Sequence, residues 1–379
     1  MDNKAEKLNI AMFGHKRIPS REGGVEIVVE ELATRMVSNG NKVVCYNRKG
    51  HHVSDSSFDT KKLKSFKGIK IKRVFTIDKK GLAAVTSSFF AAIKCAFSKA
   101  DVVHIHAEGP AIMTPLLKLF RKRVVVTVHG LDWQRDKWSK GFASKYIKAG
   151  EKAAVKYADE IIVLSRRVEQ YFKNTYNRET MYIPNGVNAP EILPADIICE
   201  DFSICKDSYI LFLGRLVPEK GIHLLIDAFK NVKTDKKLVI AGGTSDTDEY
   251  VDELYAKAQG DDRIIFTGFQ QGDTLRELFS NAYVYVLPSL LEGMPLSLLE
   301  AMSYENCCLV SDIDECTEVV QDKAFVVKKG DVGALKEQLQ VLCDNPELVA
   351  EYKKDARGYI LKKYNWDDVV EKTLALYRE

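Results

Sequence analysis

None of the eight cysteines pairs as C-x-x-C, no low-complexity tract or short repeat interrupts the 379 residues, and no apolar run is long enough to cross a bilayer. Each absence removes a class. Without C-x-x-C spacing, and with Cys307 and Cys308 adjacent inside an apolar strand pattern, the cysteines read as buried free thiols in a reducing, cytoplasmic compartment, ahead of a metal or disulfide framework. The longest weakly polar stretch, Gly81 to Ile93, has thirteen residues and ends at Lys94, too few for a spanning helix. Met1 to Lys7 is polar and the first apolar segment reads as a strand, so no signal peptide is expected. At 46% hydrophobic residues the chain has material for two cores.

Net charge is also scarce, at +3, but its distribution is not even. Met1 to Pro190 carries 35 Lys and Arg against 18 Asp and Glu, a balance of +17, and the remainder balances at −14. A basic first half suggests an anionic partner. Nucleic acid is not expected, because no aromatic-interleaved module or zinc spacing accompanies the charge. An anionic membrane surface fits better: Lys61, Lys62, Lys64, Lys67, Lys70, Lys72, Arg73, Lys79 and Lys80 precede the Gly81 to Ile93 segment, and Arg121-Lys122-Arg123 forms a second patch. A solvated loop face is the competing reading of those lysines.

Strands alternate with helices in both halves, which predicts an α/β chain of parallel sheets with crossover helices. In the first half, strands are expected at Leu8 to Phe13, Lys42 to Tyr46, Val102 to His106, Val124 to Val128 and Glu160 to Leu164. Val25, Val28, Val29, Leu32, Met36 and Val37 form one helical face, ended by Gly40. In the second half, strands are expected at Tyr209 to Leu213, Lys237 to Ala241, Arg263 to Thr267, Tyr283 to Leu287 and Cys308 to Ser311. Pro184, Pro190 and Pro194 punctuate the join, placing a linker near Ala189 to Asp207.

Two constellations carry chemistry. After the strand ending at Pro288-Ser289 comes Leu291-Glu292-Gly293-Met294-Pro295-Leu296-Ser297-Leu298-Leu299-Glu300, with one glutamate on a turn and a second about two helical turns inside. A helix start suits an anion, and carboxylates hold sugar hydroxyls. Upstream, Gly214-Arg215 ends another strand and Lys220 follows five residues later. A planar fork and a mobile ammonium at the carboxyl end of a parallel strand can neutralise a diphosphate. Each alone also fits a bland surface role, an acidic helix start or an ion-pair cluster.

In order along the chain, these residues resemble the family 4 glycosyltransferases. The resemblance also rests on Gly14 to Glu26, on Thr127-Val128-His129-Gly130 after a strand, and on Ile183-Pro184-Asn185-Gly186-Val187 before the linker. It implies the GT-B fold: two Rossmann-like domains facing across a cleft, with a final helix around Trp366 to Tyr377 crossing back to the first. Residues 1–190 with 364–379 would form the acceptor-binding domain, and 191–363 the donor-binding domain. It also implies a retaining enzyme that uses a nucleotide-sugar as co-substrate, without cofactor or metal. Arg215 and Lys220 would bind the donor diphosphate and Glu300 the ribose. Glu292 and the amides from Gly293 to Leu296, around Met294 and Pro295, would hold the transferred sugar and distal phosphate. Gly23 and Gly24 would let the first loop approach the donor, Gly214 and Asn185 would belong to the donor site, and His129 would contact the sugar near its reacting carbon.

The long charged first loop resembles that of bacterial enzymes building capsular, extracellular or lipopolysaccharide glycans. That implies a glycan or lipid-linked acceptor and a cytoplasmic protein peripheral to the inner face of the membrane. His104 and His106, two apart on a strand, lack a convincing third ligand, and His106 reads as a cleft residue. Asp312-Ile313-Asp314 resembles a D-x-D metal motif, but Arg215 and Lys220 already supply the charge. Asp314-Glu315 stands where relatives often carry Pro-Glu, which leaves the role of Glu315 open. The alternatives are an epimerase or phosphorylase on the same scaffold, or a non-catalytic sugar-nucleotide-binding subunit. Release of nucleoside diphosphate on adding acceptor separates them.

Overall fold

The computed structural model describes residues 7–21, 23–49, 63–79, 81–134, 142–243 and 248–379. Lys61, Lys62 and Lys80 of the basic segment and Glu22 of the first loop lie outside them. The chain divides into two compact units, Met1–Asn185 with Trp366–Glu379, and Gly186–Asn365.

In the first unit the strands are β1 (Asn9–Phe13), β2 (Lys42–Arg48), β3 (Ser65–Phe66), β4 (Ile69–Val74), β5 (Val102–His106), β6 (Arg123–Val128), β7 (Glu160–Val163) and β8 (Met181–Tyr182). They form one sheet in the order β3-β4-β2-β1-β5-β6-β7-β8, parallel except for the β3–β4 pair. The helices are α1 (Gly24–Ser38), α2 (Leu82–Ala96), α3 (Thr114–Leu119), α4 (Phe142–Tyr157) and α5 (Arg166–Tyr176). A parallel sheet covered on both faces needs apolar residues at consecutive positions. Ile10 to Phe13 and Val124 to Val126 supply them, all buried. Helix α1 buries Val28, Val29, Leu32 and Met36, and the chain leaves it through Gly40 at φ 85°.

The second unit contains β9 (Tyr209–Leu213), β10 (Lys237–Ala241), β11 (Ile264–Gly268), β12 (Val284–Leu287), β13 (Cys307–Ser311) and β14 (Phe325–Val327), in the all-parallel order β11-β10-β9-β12-β13-β14. Its helices are α6 (Ile197–Phe202), α7 (Ile222–Phe229), α8 (Asp248–Ala258), α9 (Gly272–Ser280), α10 (Leu296–Ser303), α11 (Asp314–Val320), α12 (Val332–Asp344) and α13 (Pro346–Lys363). Cys307 and Cys308 are fully buried in its core as free thiols.

The final helix, α14 (Trp366–Arg378), belongs to the first unit and packs on α1. It buries Trp366, Val370, Leu374 and Tyr377. Arg123 at the start of β6 donates two hydrogen bonds to the Leu376 carbonyl, at 3.0 and 2.6 Å. Arg35 on α1 reaches Asp367 at 3.1 Å.

Two parts of the sequence reading change. Part of the basic segment, for which a solvated loop face was the competing reading, is strand β4, with Ile69, Ile71 and Val74 buried and Lys70 exposed between them. Its lysines therefore sit on one side of a paired strand. The proposed linker contains helix α6, and the units part between Asn185 and Gly186.

Candidate functional site

In the second unit the strand order reverses at β9 and β12, which hydrogen-bond to each other while their crossovers run in opposite directions. Open parallel sheets bind ligands beyond the carboxyl ends of the strands at such a point. Both sequence constellations are there, one following each strand. Gly214 and Arg215 follow β9, and the next turn, Pro218–Lys220, is tied across to the β12 loop by Leu290 N–H donating to the Glu219 carbonyl at 2.8 Å. Gly221, at φ 68°, lies where a Cβ would stand 2.2 Å from the Pro288 carbonyl oxygen. Only glycine permits that approach.

The approach brings Lys220 to Glu292. Lys220 Nζ donates to Glu292 Oε1 at 2.6 Å, and Ser289 Oγ donates to the same oxygen at 2.6 Å. The two side chains are 12% and 9% exposed, so the pair is largely desolvated. A buried ammonium and carboxylate in contact are each costly to leave alone, and removing one partner typically destabilises by about 3–5 kcal/mol. Glu292 thus sets the position of Lys220, beyond the sugar-binding role expected from the sequence. Gly214 leaves ordinary room beside the Lys220 stem, since a Cβ there would stand 3.8 Å from Lys220 Cε. Arg215 is half-buried on the same strand-end loop.

Pro295 precedes α10 and has no N–H, so between Gly293 and Leu296 the backbone N–H groups are those of Gly293, Met294 and Leu296. Glu300 is half-buried within α10. Sequence reasoning missed Tyr285. Burial pushes its hydroxyl well above the ordinary tyrosine range, and Glu292 and Glu300 raise it further. That hydroxyl lies 2.8 Å from Ser297 Oγ and 3.3 Å from the Leu213 carbonyl, linking β9, β12 and α10.

In the first unit the order reverses at β1 and β5. Gly14, at φ 110°, begins the loop after β1, where a Cβ would stand 2.0 Å from the His106 carbonyl oxygen. Gly23 precedes α1 in extended backbone and Gly24 opens the helix. Glu26, in the first turn of α1, accepts from the Lys16 backbone N–H at 2.8 Å and so holds that loop. Its position beside Gly23-Gly24 at a helix start was the signal for it.

His129 follows β6 and is 9% exposed. Its Nε2 lies 3.1 Å from Nδ1 of His106, which is fully buried. His106 is therefore a support behind His129, not a cleft residue. His104 bridges Thr127 Oγ1 and Tyr377 OH, both at 2.6 Å. Burial drives His104 down to about 3, His106 well below its ordinary value, and His15, bonded to Asn47, to about 4. These three imidazoles are neutral at physiological pH. Asn185 is 3% exposed at the end of this unit.

Among the described residues no three His, Cys, Asp or Glu side chains gather to hold a metal ion. Asp312 instead accepts from the Lys329 backbone N–H at 2.7 Å, and Asp314 opens α11.

Two family models match the chain in succession, Glycosyltransferase Family 4 over residues 22–190 and Glycosyl transferases group 1 over residues 201–359. The chain belongs to the family 4 glycosyltransferases. This glycosyltransferase is 26% identical to an uncharacterised glycosyltransferase of Methanocaldococcus jannaschii, with 98% of each chain covered. It is 28% identical to the UDP-Gal:alpha-D-GlcNAc-diphosphoundecaprenol alpha-1,3-galactosyltransferase of Escherichia coli, over 74% of this chain and 75% of the relative. Its fold is that of the sucrose-phosphate synthase of Thermosynechococcus elongatus, with a TM-score of 0.83 at 21% identity and 98% of each chain covered. The two parallel-sheet units are those of a GT-B glycosyltransferase.

Proposed function

We propose that this glycosyltransferase moves a hexosyl-type sugar from a nucleoside diphosphate to an acceptor hydroxyl with retention at the anomeric carbon. The observation that carries the reading is the buried Lys220–Glu292 pair at the reversal of the second sheet. Lys220 and Arg215 neutralise the departing diphosphate, together with the amides of Gly293, Met294 and Leu296. Glu300 takes the ribose, and Glu292 and His129 orient the sugar. The bond from the anomeric carbon to the diphosphate oxygen breaks, the bond to the acceptor oxygen forms on the same face, and the acceptor proton passes to the diphosphate. No cofactor or metal takes part, since two side-chain cations supply the charge.

The acceptor we infer is lipid-linked or a growing bacterial surface glycan, presented at an anionic membrane. The lipid-linked substrate in the name of the Escherichia coli relative supports this. So does the first unit's surface. Phe97 and Leu119 are 76% and 78% exposed at the ends of α2 and α3, with Phe97 edge-on to Phe120 at 4.8 Å and Arg121 exposed beside them. No helix among the described residues is long and apolar enough to cross a membrane. Lys64, Lys67, Lys70 and Lys79 are exposed, whereas Arg123 of the second patch is engaged by α14.

The test incubates the protein with UDP-, GDP-, ADP- and dTDP-sugars and a polyprenyl-diphosphate-sugar acceptor, with and without EDTA. Released nucleoside diphosphate and an α-linked product from an α-linked donor, undiminished by EDTA, are expected. Inversion, or loss restored only by magnesium or manganese, contradicts the mechanism.

A further inference from the structure

The expectation of buried thiols fails for two of the eight cysteines. Cys45, Cys95, Cys307, Cys308 and Cys316 are buried and Cys343 is half-buried, whereas Cys199 and Cys205, in the second unit, are exposed. Burial holds the first six thiols above their ordinary range, with Cys95 and Cys307 at about 12, so they carry almost no thiolate. The exposed two face each other. Cys199 Sγ lies 3.5 Å from Cys205 Sγ, although six residues separate them in the chain.

The backbone on both sides holds that meeting in place. Cys199 lies in α6, where the preceding Ile198 is fully buried and its N–H donates to Glu277 Oε2 on α9 at 3.0 Å. The helix ends at Ser203, whose φ of 52° turns the chain and whose N–H donates to the Cys199 carbonyl at 3.2 Å. Ile204, also fully buried, donates through its N–H to the Ile198 carbonyl at 3.4 Å. Cys205 N–H then donates to Ser208 Oγ at 2.8 Å, and that hydroxyl donates back to the Cys205 carbonyl at 2.7 Å, one residue before β9 begins. Each cysteine thus follows an anchored isoleucine, which leaves the two sulfurs together at the surface. A disulfide is about 2.05 Å long, so the sulfurs must close by about 1.5 Å, a distance that side-chain rotation supplies. The pair sits at the amino end of β9, whereas Gly214 and Arg215 follow its carboxyl end.

We propose that Cys199 and Cys205 are a modification site, at which hydrogen peroxide joins the two sulfurs in a reversible disulfide that fastens the end of α6 to the start of β9. One thiolate attacks a peroxide oxygen, the O–O bond breaks, and that sulfur becomes a sulfenic acid. The second thiolate attacks the sulfenic sulfur and hydroxide leaves. In sum, two thiols are oxidised, one hydrogen peroxide is reduced and two water molecules form. A dithiol reductant reverses the bond by exchange. The contact with Cys205, with Glu200 and Asp196 nearby, holds the Cys199 thiol above its ordinary range, so closure accelerates in alkali. Closing the ring from Cys199 to Cys205 restricts the unfolded chain, which lowers the unfolding constant on the order of fifty-fold.

Tryptic cleavage after Arg178 and Lys206 releases a single peptide, Glu179 to Lys206, that holds both cysteines and no other. The full chain is treated with hydrogen peroxide, blocked with iodoacetamide, then denatured and digested. The peptide is expected to escape alkylation and to be lighter than its reduced form by two hydrogens, and dithiothreitol added before blocking should restore two alkylations. Alkylation of both sulfurs after peroxide, separate oxidation of each to a sulfinic acid, or a link between two chains overturns the proposal. Urea unfolding followed by far-ultraviolet circular dichroism tests the fastening. Peroxide should lower the wild-type unfolding constant on the order of fifty-fold and leave Cys199→Ser and Cys205→Ser unchanged. A wild-type disulfide without that gain, or the same gain in the two variants, overturns it.

Discussion

The two units place their candidate groups alike, beyond the carboxyl ends of parallel strands where the strand order reverses, yet fill those positions with opposite chemistry. The second unit holds a desolvated ammonium against a carboxylate, Lys220 to Glu292. The first holds neutral imidazoles, His15, His104 and His106, with His129 bonded to the last. The net charges of the halves run the other way, since the cationic site lies in the sequence half that balances at −14 and the neutral site in the half at +17. Summed charge describes what a surface meets from afar, whereas a site's chemistry is set by the few groups its backbone brings into contact.

The largest expected effect that sharpens this contrast is from Lys220→Ala. It removes a preorganised cation from the leaving group, worth about a hundredfold in turnover. It also strands Glu292, at a cost of about 3 kcal/mol or more. Urea unfolding separates the two losses: pairing Lys220→Met with Glu292→Leu restores stability but not turnover. Recovery of turnover in that double variant would make the pair structural.

Acid is expected to divide the units next. An imidazole that titrates near 6.5 unfolded and about 4 in the native chain leaves the unfolded state binding more protons between those values, so its contribution to stability is present above about pH 6.5 and is lost as pH falls. For His15 alone the full shift is worth about 3 kcal/mol, and His104 and His106 act in the same direction, against one carboxyl, Glu108, acting oppositely. The second unit has a single histidine, His223, and all three tryptophans, Trp133, Trp138 and Trp366, belong to the first. Between pH 6.5 and 4, tryptophan fluorescence should report unfolding at less urea than far-ultraviolet circular dichroism does. Coincident curves at every pH would place the acid-labile groups elsewhere.

Smaller effects test the division within each unit. His129→Ala should lower turnover while leaving affinity for a free nucleoside diphosphate unchanged. Glu300→Ala should weaken that affinity about tenfold, because ribose contacts act in ground and transition states alike. A titration of both variants checks the pair, and a loss of nucleotide affinity in the first but not the second reverses the roles.

Much of this was legible in the sequence because doubly covered parallel strands need unbroken apolar runs. Leu8 to Phe13, Tyr209 to Leu213 and Lys237 to Ala241 became strands with little change of boundary. Strand β4 was not, because the lysines between Ile69, Ile71 and Val74 made a half-buried edge region resemble a charge run. The two-residue β8 carries no periodic signal at all. In the candidate site, Lys220 and Glu292 could each be picked out from a local motif, but their mutual contact spans 72 residues and depends on the Gly221 approach to Pro288. His106 behind His129 and Glu108 beneath the Asp132 amide depend on neighbouring strands, which no local pattern encodes.

The central claim, that Lys220 serves the diphosphate, is tested most directly by calorimetric titration of UDP, GDP and ADP and of the corresponding nucleosides. Wild type is measured beside the Lys220→Met, Glu292→Leu double variant. The account predicts that the wild type binds one diphosphate at least tenfold more tightly than its nucleoside, and that the double variant loses most of that difference while keeping its nucleoside affinity. An undiminished preference for the diphosphate in the folded double variant would contradict it.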